Sequence, residues 1–67
     1  MTNKEASALS KGTRIEVKHD SYTAFNGQPG KFIQLTGTDA KHGQLAKIIM
    51  DTGGVEIELP VETLIKE

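Results

Sequence analysis

The sequence predicts an all-β domain, five short strands rolled into a small and strongly bent barrel. Three observations point there. Apolar and polar residues alternate in short runs, Gly, Pro, Asn and Asp separate those runs, and helical periodicity is absent from residue 12 onward. A chain of 67 residues holds one small domain. Rolling so small a sheet into a barrel also removes the unpaired edges that a flat one would leave.

The elements follow in order. Residues 1–11 carry one large apolar side chain after Met1, Leu9, and read as a flexible N-terminal tail with at most a helical turn near Glu5–Leu9. The barrel occupies residues 12–67. Thr13 to Lys18 alternates with period two and places Ile15 and Val17 on one face. His19 to Gly30 is a long loop containing Tyr22 and Phe25, and Lys31 to Thr36 is a second strand. A polar connection, Gly37 to Gly43, leads to a third strand, Gln44 to Met50. Asp51-Thr52-Gly53-Gly54 is a hairpin turn, because glycine enters positive φ freely. With all four residues in the loop, Ile48 faces Ile57, Ala46 faces Leu59 and Lys47 faces Glu58; a Gly53-Gly54 loop moves the register by two and keeps the same faces. Val55 to Leu59 is the fourth strand. After Pro60, a single 3₁₀ turn over Val61–Leu64 precedes a short fifth strand, Leu64 to Lys66. The expected core is Ile15, Val17, Phe25, Phe32, Leu35, Ala46, Ile48, Met50, Val55, Ile57, Leu59, Val61 and Leu64. Without Trp this core is thin, which sets stability at the low end of roughly 5–15 kcal/mol.

The opening strand Lys11-Gly12-Thr13-Arg14-Ile15-Glu16-Val17, and the Gly27-Gln28-Pro29-Gly30-Lys31-Phe32 entry to the second strand, resemble the SH3-like small β-barrels of the bacterial KOW-like kind. The resemblance covers about residues 11–66. It implies a five-stranded SH3-like barrel and a binding module rather than an enzyme, since relatives serve as domains of ribosomal proteins and elongation factors or as accessory subunits of electron-transfer complexes.

Several constellations in the sequence resemble chemical motifs without completing them. Asp51-Thr52-Gly53 after an apolar strand mimics an aspartic-protease triplet, but that chemistry needs two carboxylates sharing a proton under flaps, and a hairpin uses the same residues. Gly27 to Lys31 lacks the following helix and hydroxyl residue of a phosphate loop. His19 and His42 lie in different loops without a ligand spacing, and there is no cysteine, so no catalytic residue, metal site or cofactor is expected. No apolar run suits a membrane span or a secretory leader, and the expected location is cytoplasmic.

Two signals remain. The first loop carries Tyr22, the only tyrosine, whose ring offers large contact area at low entropic cost. Residues 1–50 hold seven Lys or Arg against four Asp or Glu, whereas residues 51–67 hold one against five. Such asymmetry orients a charged partner unless cross-strand pairing cancels it. The function expected is a non-catalytic protein–protein interaction module, a small accessory or regulatory subunit. Its contact residues would be Tyr22, Arg14, Lys18, Lys31, Lys41 and Lys47. The alternative is a KOW-type nucleic-acid binder in a ribonucleoprotein or transcription complex, with Lys31, Lys41 and Lys47 on phosphates and Tyr22 stacked on a base. A third reading is a homo-oligomer, joined through outward-facing Ile33, Ile49 and Ile65 and carrying its site at the interface; a monomer or weak homo-oligomer fits the chain.

Overall fold

A computed structural model describes residues 1–18 and 26–67. Tyr22, Phe25 and most of the first loop lie outside the described residues. The elements are α1 (Asn3–Ser7), β1 (Arg14–Val17), β2 (Pro29–Asp39), β3 (Gly43–Met50), β4 (Glu56–Pro60), the 3₁₀ turn Val61–Thr63 and β5 (Leu64–Lys66). All five strands join one antiparallel sheet in the order β4-β3-β2-β1-β5.

The β3–β4 hairpin adopts the longer-loop register, with Ala46 opposite Leu59, Lys47 opposite Glu58 and Ile48 opposite Ile57. Its loop is closed by the Met50 N–H donating to the Val55 carbonyl at 2.8 Å, and Gly53 and Gly54 sit at φ of 77° and 62°. β2 is longer than its apolar run suggests, eleven residues from Pro29 to Asp39. Its pairing with β3 slips once between Phe32 and Gln34 and again between Leu35 and Thr38. Each such bulge bends the strand and sharpens its twist, so the sheet curls over its own apolar face. β2 and β3 join through Ala40, Lys41 and His42, with Gly43 at φ 75° closing a tight turn.

The sheet is not closed into a barrel, which corrects the expected closure. β4 and β5 stand at opposite ends of the strand order and do not pair. On the β5 side, the outward backbone groups of Leu64 already have partners. The Leu64 N–H donates to the Val61 carbonyl within the 3₁₀ turn, and the Leu64 carbonyl accepts from the Met1 ammonium at 2.8 Å. A local turn and the chain's amino end therefore take the groups that β4 would have needed. Side chains shut the apolar face instead: Val61 and Thr63 from the turn and Ala6 from α1 are all buried.

Residues 1–11 differ from the expected tail, because α1 is capped and seated. The Glu5 N–H donates to Thr2 Oγ1 at 3.1 Å, and the Thr2 N–H donates to Glu5 Oε1 at 2.9 Å. This reciprocal cap satisfies two amide donors that a helix start leaves orphaned, and those hydrogen bonds hold the Glu5 carboxyl below its ordinary value. Ala6 is 1% exposed inside the core, with Met1 and Leu9 packed at its margin.

The core otherwise follows the alternation: Ile15, Val17, Phe32, Ala46, Ile48, Met50, Leu59, Val61 and Leu64 are buried. Leu35 and Ile57 are only partly buried against it. Val55 departs from expectation at 50% exposed, because it belongs to the end of the hairpin loop, one residue before β4 begins.

Candidate functional site

The residues expected to meet a partner divide into two groups. Arg14 and Lys47 are engaged with carboxylates. Arg14 points outward from β1, opposite Lys31 on β2, and forks onto Asp51 with Nη1 to Oδ1 at 2.9 Å and Nη2 to Oδ2 at 2.5 Å. Its Nε also lies 3.7 Å from Glu67 Oε2. This clasp ties β1 to the β3–β4 loop and to the last residue. Lys47 Nζ lies 3.8 Å from Glu56 Oε2, on the face it shares with Glu58 opposite.

Lys18, Lys31 and Lys41 make up the second group. All three are exposed, and none has a carboxylate within ion-pair distance among the described residues. Lys18 stands at the mouth of the first loop, its N–H bonded to the Thr63 carbonyl at 2.8 Å. Lys41 sits at the tip of the β2–β3 turn, where its N–H donates to Asp39 Oδ1 at 3.0 Å.

The charge asymmetry between the two parts of the sequence is partly spent inside the molecule. Each Lys or Arg ion pair among the described residues joins a base before residue 50 to an acid after it: Arg14–Asp51, Arg14–Glu67 and Lys47–Glu56. A His42–Glu62 contact runs in the same sense and is an ion pair only when the imidazole is protonated. The last spans 3.6 Å between the β2–β3 turn and the 3₁₀ turn. Asp51, the acid of the protease-like triplet, is thus committed to Arg14 in a turn. Gly27 to Lys31 leads directly into β2. Among the described residues no group of three or more His, Cys, Asp or Glu is placed to hold a metal ion.

The Arg14 hydrogen bonds hold the Asp51 carboxyl below its ordinary 3.8, with the Arg14 and Lys31 charges adding to the effect. Arg14 shifts the opposite way, upward, for the same reason. A carboxyl whose folded pKa is depressed contributes stability above its unfolded pKa, and loses it as the pH falls through the lowered folded value. The ¹³C shift of the Asp51 carboxyl should therefore titrate with a midpoint below 3.8. In Arg14→Gln the midpoint should return to the ordinary value; an unchanged midpoint would contradict the clasp.

The structure also forms a concavity that sequence reasoning missed, because α1 was not foreseen as a wall. A groove of 380 Å³ runs between α1 and β5, with Met1, Ala8, Leu9 and Ile65 as apolar lining and Glu5 and Lys66 at its sides. Ile65, one of the expected outward-facing isoleucines, is 44% exposed there. Ile33 and Ile49 are partly buried, so the seam proposed for self-association is narrower than three exposed side chains. Compared with known protein families, with curated proteins and with solved structures, the chain finds no significant match.

Proposed function

We propose that this chain is a non-catalytic protein-binding module, an accessory or regulatory subunit of a larger complex, related to the SH3-like kind but with its sheet left open. One observation carries the reading. The inner face of the sheet is consumed by its own core, with Ile15, Val17, Ala46, Ile48 and Leu64 at 0% exposed. What remains to meet other molecules is the outside: loops, strand edges and unpaired charges. Five curled strands, a long first connection and one 3₁₀ turn before the last strand agree with the SH3-like resemblance.

The contact surface of this reading is the first loop with Tyr22, together with Lys18, Lys31 and Lys41. Arg14 and Lys47 drop from it because carboxylates already engage them. The same three lysines, which have no ion-pair partner among the described residues, favour a second reading, contact with nucleic-acid phosphates. One experiment separates the two. The immobilised chain is exposed to extract of its source cells, with and without nuclease, beside a Lys18→Glu/Lys31→Glu/Lys41→Glu variant. Protein binding predicts a retained partner that survives nuclease and is lost by the variant. Retention that vanishes with nuclease, and falls steeply with added salt, would instead establish nucleic-acid contact.

A further inference from the structure

We propose that the outer edge of β4 is a strand-addition site for an extended segment of another protein, one in which basic and apolar side chains alternate. The edge is defined by hydrogen-bond phase. Because the Met50 N–H bonds to the Val55 carbonyl, the bonded pairs of the hairpin are Met50–Val55, Ile48–Ile57 and Ala46–Leu59. The N–H and C=O groups of Glu56 and Glu58 therefore point away from β3. β4 ends the strand order, and no partner takes those groups among the described residues. Pro60 closes the edge, since it has no N–H to offer.

Charge selects the occupant. A strand added to this edge sets its residues opposite Glu56 and Glu58 on the outer face, where two carboxylates stand; among the described residues Glu56 is paired, with Lys47, and Glu58 has no ion-pair partner. The intervening residues fall on the inner face beside half-exposed Val55 and partly buried Ile57. Basic residues on one face and apolar residues on the other satisfy both. A second copy of β4 does not. In the centred antiparallel self-pairing Glu56 of each copy faces Glu58 of the other, and registers shifted by two still set one glutamate against its own copy, so like charges stand directly opposite and repel. The strands of this chain that carry an outward base, β1 with Arg14 and β3 with Lys47, already lie inside the sheet. The edge thus rejects itself and accepts a basic strand from elsewhere. It is a different surface from the lysine set, so either proposal stands if the other fails.

The test is an NMR titration of the ¹⁵N-labelled chain with a capped peptide of alternating Lys and Val. The expected result is a downfield shift and slowed exchange of the Glu56 and Glu58 amides, with little change at Lys18 and Lys41. The Glu56→Lys/Glu58→Lys variant should bind at least about tenfold more weakly, because its edge repels the same peptide. If that variant does not fold, the wild-type amides still decide. A peptide with the same residues in block order that binds equally well would show charge attraction alone and overturn the proposal. So would shifts confined to the α1–β5 groove, or no shift at all.

Discussion

Ile48→Ala is expected to lose about 2–5 kcal/mol of unfolding free energy, the largest effect of any single substitution considered. Ile48 sits in the middle of β3, opposite Phe32 on β2 and Ile57 on β4, and is fully buried. Removing its side chain forfeits the transfer of those carbons from water and leaves a cavity between two strands. The curled sheet cannot collapse to fill it without breaking the pairing on either side. Against a stability of roughly 5 kcal/mol, the low end of the usual range, this loss removes a large share of what holds the domain folded. Ile49→Ala changes the next residue, on the opposite face, and should lose clearly less. Urea midpoints compared at equal m-value measure both. Similar losses for the two would contradict the assignment of faces in β3.

The second large effect is expected at Gly30, which lies in β2 where β1 and β3 flank it. A Cβ built there stands 2.7 Å from the Ile49 carbonyl oxygen and 3.1 Å from Ile48 Cγ2. The nearer obstacle is backbone, so relief requires moving β3 rather than rotating a side chain. Gly30→Ala should therefore destabilise by about 1–3 kcal/mol, despite the better strand propensity of alanine. Gly37, later in the same strand, has nothing within 4 Å of its would-be Cβ and a φ that alanine adopts. Gly37→Ala should be neutral or slightly stabilising, through reduced freedom of the unfolded chain. Equal effects at the two glycines would show that β2 and β3 do not approach at Gly30 as described.

How far the sequence discloses this molecule depends on the range of each interaction. The existence of the β3–β4 hairpin and the facing of its side chains were legible, because alternation on both strands and two adjacent glycines are local signals that agree; the loop length, and with it the choice between two registers, was not. Thr2-Asn3-Lys4-Glu5 also carries a local signal, the spacing of a reciprocal helix cap, yet the segment reads as a tail because burial of Ala6 depends on the distant 3₁₀ turn. Openness of the sheet was not legible. At the β5 end the Met1 ammonium bonds to the Leu64 carbonyl, 63 positions away, a contact that no local pattern announces. Arg14 shows the same limit in the candidate site. A side chain that reads as free for a partner is held by Asp51, 37 positions on, and no periodicity announces that meeting. For Lys47 the face and the cross-strand neighbour Glu58 are as the alternation predicts, and the ion pair itself goes diagonally to Glu56, one pleat away.

The claim beneath both functional readings is that this chain shuts its inner face and leaves its outside open, with β4 as a free edge. Amide hydrogen exchange along β4 tests it residue by residue. Ile57 and Leu59 donate into β3 and should be protected close to the global unfolding limit, whereas Glu56 and Glu58 face outward and should exchange near the rate of an unstructured chain. Alternation of slow and fast amides from Glu56 to Leu59 is the predicted result. Uniform protection across all four would contradict it, showing an edge that is covered or a sheet that closes.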